Sequence, residues 1–182
     1  MDIFIINTSD ADNIKPKLLE MFRHKDFSNE KKKTEHCFAY LMLDRILKEV
    51  YKINSREIEF INEKPYLNTR EKYFSISHSG EYILIAISDY ECGADIERIK
   101  LRNYRAISEH MQFDALTLDD FYAEWTKYEA EYKLGGRGKY KKIFPTRYYD
   151  YMITAVSVNL QENFEIYIQN GEEFSNVNSP IL

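Results

Sequence analysis

The fifteen residues FSISHSGEYILIAIS, Phe74 to Ser88, constrain the chain more than any other stretch. Phe74 and Ile76 alternate with Ser75 and Ser77, the two-residue period of a strand. Ser79-Gly80 supplies a bend and YILIAIS continues as a second strand-like run, so the segment reads as a β-hairpin. The next stretch, CGADIERIK from Cys92 to Lys100, is strand-like again and sets Asp95 and Glu97 around a single Ile. Two acids stand where a buried sheet would prefer aliphatics.

Around that hairpin the patterns mix both periods. Ile3 to Asn7 (IFIIN) predicts a first strand. FAYLMLDRILKEVYKI carries Phe38, Leu41, Met42, Ile46 and Val50 close to helical spacing and predicts a core helix. Asn62-Glu63-Lys64-Pro65 predicts a turn or loop, because Pro65 cannot continue regular pairing. Tyr104 to Met111 reads as helical, and Thr117 and Asp120 stand in capping-box positions for a further helix. That helix puts Phe121, Trp125, Tyr128 and Tyr132 along one face and ends at Gly135-Gly136. YDYMITAVSV and NFEIYIQN predict two closing strands, and SNVNSPIL a loosely held tail. The fold class is α+β. Both halves share a rough order of strand, helices and paired strands, a hint of two similar lobes at 1–90 and 91–182.

Composition narrows the function classes. With 182 residues, 44% hydrophobic and 30% charged, the chain suits a soluble globular protein of one domain or two small lobes. No apolar run approaches the roughly 20 residues of a membrane span, and the N-terminus lacks the basic start of a signal peptide. Cys37 and Cys92 form no disulfide or zinc pattern, which fits buried thiols in the cytoplasm. A net charge of -5 argues against coating nucleic acid. One region departs from that balance: Lys133, Arg137, Lys139, Lys141, Lys142 and Arg147 follow one another with no acid between.

On a strand Asp95 and Glu97 project to one side and Ala94 and Ile96 to the other. Anions about 6 Å apart repel by roughly 3 kcal/mol at an effective dielectric near 20, so water, a basic partner or a divalent cation has to offset them. A solvated strand face would show the same pair. Glu129 and Lys133 lie four apart on the predicted helix, one turn beyond Trp125, the single Trp of the chain. A surface ion pair would account for them too. Taken together, three carboxylates, a lysine and the basic glycine-rich loop GGRGKYKK suit a Mg²⁺ and phosphate site, since Mg²⁺ takes oxygen ligands and completes its shell with substrate phosphates.

Three motifs in order carry a resemblance: Ser77-His78-Ser79, Gly93-Ala94-Asp95-Ile96-Glu97, and Trp125-Thr126-Lys127-Tyr128-Glu129-Ala130-Glu131-Tyr132-Lys133. The chain from about Asn62 to about Val158 resembles the 4'-phosphopantetheinyl transferases of the Sfp type. The resemblance implies transfer of the phosphopantetheine arm of coenzyme A to a Ser hydroxyl of an apo acyl or peptidyl carrier protein, with release of adenosine 3',5'-bisphosphate. It implies two similar α+β lobes in one monomeric chain, with the coenzyme in the cleft between them. Asp95, Glu97 and Glu129 become ligands of Mg²⁺, or of Mn²⁺ in its place, and Glu129 takes the proton from the attacking Ser. Lys133 holds the leaving-side phosphate oxygen. Ser77, His78, Lys64 and Pro65 become coenzyme contacts, and Lys31, Lys32 and Lys33 candidates for the 3'-phosphate.

A hydrogen-bonded strand histidine, a surface turn and a solvated lysine run are the plainer readings of His78, Lys64-Pro65 and Lys31–Lys33. The resemblance departs at Tyr128, where the family has Lys, at Ala94, a smaller residue than usual, and at Tyr40, near where an Arg is expected. These departures keep open a catalytically silent module that binds coenzyme A or a carrier. A serine hydrolase on Ser77 or Ser79 with His78 lacks the glycine-flanked elbow such a nucleophile needs. Carrier proteins of such pathways are acidic, which makes the segment from Lys133 to Arg147 a candidate docking edge.

Overall fold

The computed structural model describes residues 1–13, 30–54, 57–61, 64–136, 142–170 and 173–177. Strand β1 (Asp2–Asn7) runs into a 3-10 turn (Thr8–Asn13), and helix α1 (Glu30–Glu49) follows. Next come β2 (Ile58–Ile61), β3 (Lys64–Leu67), β4 (Tyr73–Ser79), β5 (Tyr82–Ser88) and β6 (Cys92–Arg98). Helices α2 (Tyr104–Met111) and α3 (Leu118–Leu134) lead to β7 (Lys142–Tyr148), β8 (Tyr151–Ser157), β9 (Glu165–Asn170) and β10 (Glu173–Asn176). The fold is α+β.

A five-stranded sheet has the order β10-β9-β1-β5-β4, with β1 and β9 parallel and its other pairs antiparallel. A three-stranded antiparallel sheet has the order β6-β8-β7, and β2 and β3 form a separate ribbon. The layers follow from strand alternation. Phe4, Ile6, Phe74, Ile83 and Ile85 face α1, where Phe38, Met42 and Ile46 meet them. Ile3, Ile5, Leu84 and Ala86 face the other way, onto Ala94, Ile96, Ile153 and Ala155 of the three-stranded sheet. Each fully buried aliphatic here contributes about 2 kcal/mol against exposure. Helix α3 covers the remaining face of β6 and β8 through Ala130, Leu134 and Val156. No helix among the described residues is long and apolar enough to cross a membrane.

The hairpin closes where the serine-glycine bend predicts. Ser79 pairs with Tyr82, leaving Gly80 and Glu81 as the loop, and Gly80 sits at φ 59, the glycine conformation a two-residue loop requires. Thr117 caps α3 through the Asp120 amide, the Asp120 carboxylate bonds back to the Thr117 amide, and Gly135 ends the helix at φ 109.

Other elements differ from their patterns. Helix α1 starts at Glu30 instead of Phe38, because its first two turns are polar and solvated and leave no apolar periodicity to read. It stops before Val50, which is 43% exposed, and Lys52 turns the chain at φ 60. Pro65 does lie in a strand, opposite Phe60. In a two-stranded ribbon each residue faces a partner on one side only, so an amide without a proton is tolerated. Helix α3 buries Tyr122, Thr126, Ala130 and Leu134, and of the aromatic stripe it fully buries Phe121 alone; Tyr132 is 69% exposed. Phe121, Trp125 and Tyr128 pack sideways against Phe113. The basic segment contains strand β7, and the predicted tail begins inside β10.

Candidate functional site

Strand β6 builds the site by alternation. Ala94 and Ile96 enter the core between the two sheets, which leaves Gly93, Asp95 and Glu97 on the side covered by α3. Gly93 decides how close the helix comes: a Cβ there would stand 2.0 Å from the Ala130 carbonyl oxygen and 2.8 Å from the Leu134 nitrogen. With only hydrogen at that position, the α3 backbone lies directly on the strand. The hydroxyls of Thr126 on α3 and Thr154 on β8 lie 2.8 Å apart beneath the same contact, and Thr154 pairs with Asp95. Glu129 and Lys133, one turn apart, are thereby brought to the acids of β6.

Asp95 is only 4% exposed. Its Oδ1 accepts hydrogen bonds from Ser77 Oγ at 2.6 Å and Lys133 Nζ at 2.7 Å, and Lys133 also donates to the Ala94 carbonyl at 3.2 Å. Its Oδ2 is buried and has no hydrogen-bond partner among the described residues. Glu97 accepts from Ser79 Oγ at 2.8 Å and from the Trp125 side chain. Burial pushes the Glu97 carboxyl above the ordinary carboxylate range and the nearby Asp95 adds to the rise, while the Ser79 and Trp125 bonds and Lys133 oppose it. Burial likewise raises Glu129; Asp95 and Glu97 add to it and Lys133 counteracts. The three carboxylates therefore sense one another across one small region.

They do not form a finished cage. Among the described residues no three His, Cys, Asp or Glu side chains are grouped so as to hold a metal ion. Mg²⁺ nonetheless needs only one or two carboxylates, with water and phosphate oxygens filling the shell. An orphaned oxygen on a buried aspartate costs about 1–3 kcal/mol or more when charged, and a cation there would remove that penalty. The residues fit such an ion.

The remaining predicted residues divide. Ser77 reaches the site, with its hydroxyl on Asp95. His78 faces away from the acids; its side chain is 55% exposed, with Nε2 3.6 Å from Glu35 Oε2 on α1. Lys31–Lys33 start that same helix, and Lys31 pairs with Glu35 at 3.7 Å. Lys64 is half-buried and donates to the Cys92 carbonyl at 3.3 Å and the Leu134 carbonyl at 3.4 Å, tying β3 to the start of β6 and the end of α3. Lys127 turns to Glu124 at 3.3 Å, and Tyr128 packs on Phe113 and Trp125. The Tyr40 ring lies tilted against His36, and burial pushes its phenol up to about 12. Of the basic segment, Lys142 reaches the Glu162 carbonyl at 2.5 Å and Arg147 pairs with Asp119. Arg137, Lys139 and Lys141 lie outside the described residues.

The contacts of Ser79 and Trp125 with Glu97 escaped the sequence reading. Their signals were the even spacing of Ser75, Ser77 and Ser79 and the single turn separating Trp125 from Glu129. No protein-family model matches the chain, and no curated protein matches it.

Proposed function

We propose that the chain transfers the 4'-phosphopantetheine arm of coenzyme A to a Ser hydroxyl of an apo acyl or peptidyl carrier protein. The observation that carries this reading is the buried, unpartnered Oδ2 of Asp95 beside Glu97, Glu129 and Lys133. A Mg²⁺ bound there supplies charge neutralisation to the coenzyme pyrophosphate. Asp95 and Glu97 present oxygen ligands, and their serine and tryptophan partners hold them in place. Glu129, half-buried with a raised proton affinity, accepts the proton of the carrier hydroxyl as its oxygen bonds to the phosphorus bearing the pantetheine arm. The bond from that phosphorus to the bridging oxygen breaks, and adenosine 3',5'-bisphosphate leaves. Lys133, on the same helical face one turn on, stabilises charge on the departing oxygen. Two related lobes at 1–90 and 91–182, a coenzyme cleft between them, Lys64, Pro65, Ser77 and His78 as coenzyme contacts, a monomer and a cytoplasmic setting belong to the same proposal.

The test is transfer itself: coenzyme A, Mg²⁺, an apo carrier and this protein, read by intact mass. A second reading is a silent module that binds coenzyme A or a carrier. It is favoured by Lys133 standing on Asp95 and by Tyr128 where the resembled family has Lys. Thermal stabilisation by coenzyme A with no mass gain on any carrier would select it.

A further inference from the structure

The two sheets meet edge to edge through side chains, because β4 and β6 belong to different sheets. Ser75 Oγ accepts the Ala94 N–H at 2.9 Å, and Ser79 Oγ accepts the Arg98 N–H at 3.0 Å. Both residue numbers increase together, so the strands run parallel along this seam. Every second residue of β4 faces the side of β6; after Tyr73, serines occupy the remaining three of those places, Ser75, Ser77 and Ser79. The outer two satisfy amides that the open edge of β6 would otherwise leave without partners.

Their remaining bonds are unequal. Ser75 touches only backbone, donating weakly to the Ala94 carbonyl at 3.5 Å. Ser77 spends its proton on Asp95 Oδ1 at 2.6 Å, and Ser79 spends its own on Glu97 Oε2 at 2.8 Å. A hydroxyl has one proton, so each bond fixes which carboxylate oxygen is occupied and which is left for another partner. For Asp95 the oxygen left over is Oδ2, the orphan.

Resting on the cation reading above, we propose that Ser77 and Ser79 are positioning residues. They orient the carboxylates of Asp95 and Glu97 for a divalent cation, whereas Ser75 serves the seam alone. Hydrogen-bond partners of metal ligands typically change metal affinity by about 10–100-fold when removed. A pure seam residue would change stability and leave affinity alone.

The experiment measures Mn²⁺ binding without coenzyme, from loss of the free-ion paramagnetic resonance signal, beside thermal unfolding in chelator. Ser77→Ala is expected to weaken Mn²⁺ binding about tenfold or more. Ser77→Thr, which restores a hydroxyl, should recover most of that loss. Ser75→Ala should lower the melting temperature and bind Mn²⁺ as the parent does. Ser79→Ala, at a half-buried position, carries the test if Ser77→Ala does not fold. Binding by the parent with unchanged affinity in the Ser77 and Ser79 variants overturns the positioning role and leaves the cation reading standing. Equal losses in Ser75→Ala and Ser77→Ala overturn it as well, by making the effect one of the seam. No Mn²⁺ binding by the parent at millimolar concentration overturns both.

Discussion

Gly93→Ala tests how the site is assembled. The added Cβ would lie 2.0 Å from the Ala130 oxygen and 2.8 Å from the Leu134 nitrogen, two ends of one helical hydrogen bond. Neither atom belongs to a flexible side chain, so the strain has to be relieved by moving α3. Ordinary contact begins near 3.4 Å, and the helix must retreat by roughly 1.4 Å at Ala130 to restore it. Overpacking of this kind costs about 1–3 kcal/mol. With a urea slope of about 2 kcal/mol per molar, the unfolding midpoint should fall by about 1 M. The same shift lengthens the 2.7 Å contact between Lys133 and Asp95, and misplacement by about 1 Å costs on the order of a hundredfold in rate. The assay is urea unfolding followed by circular dichroism, with transfer measured on the folded variant. An unchanged midpoint would refute the close seating of α3 on β6 and the dependence of the site upon it.

Other expectations follow from the same geometry. Asp95→Ala and Glu129→Ala should each abolish transfer while circular dichroism shows the fold intact; full activity in either would break the assignment of the acids. Glu97 and Glu129 have folded proton affinities raised above the ordinary value of 4.5. Their stabilising contribution is therefore fully present below pH 4.5 and is lost as pH rises through the raised values. Glu97→Gln should gain melting temperature relative to the parent as pH increases from 4.5 towards 7, and a flat difference would contradict the shift. Lys127→Ala should leave transfer unchanged and stability within about 0.5 kcal/mol, because its ammonium turns to Glu124; a large loss of rate would show that Lys127 reaches the substrate.

What could be read in the residues was mostly local. The period-two run from Phe74, the Gly80 bend, the capping box of Thr117 and Asp120 and the Gly135 stop depend on neighbours in sequence, and all appear in the fold. Strand β7 was hidden because its lysine, arginine and proline read as part of a basic segment. The ribbon of β2 and β3 was hidden because a proline is compatible with pairing only at an edge, and edges are set by tertiary structure. The buried face of α3 was legible only in part, for a similar reason: Phe121 is buried as its pattern suggests, but Thr126 is polar yet finds Thr154, while Tyr132 is aromatic yet faces solvent. Alternation placed Asp95 and Glu97 together, and i,i+4 spacing placed Glu129 with Lys133. That Ser77 and Ser79 hold those acids is a contact between two sheets, and no spacing within one strand encodes it.

The central claim is chemical, and one measurement addresses it most directly. Apo carrier protein is incubated with coenzyme A and this chain, in Mg²⁺ and in chelator, and weighed intact over time. The account predicts that the carrier gains the mass of one phosphopantetheine arm in Mg²⁺ and none in chelator, with Asp95→Ala inactive in both. A carrier that stays unmodified by this chain in Mg²⁺, while a working transferase of the resembled family modifies it, would contradict the account.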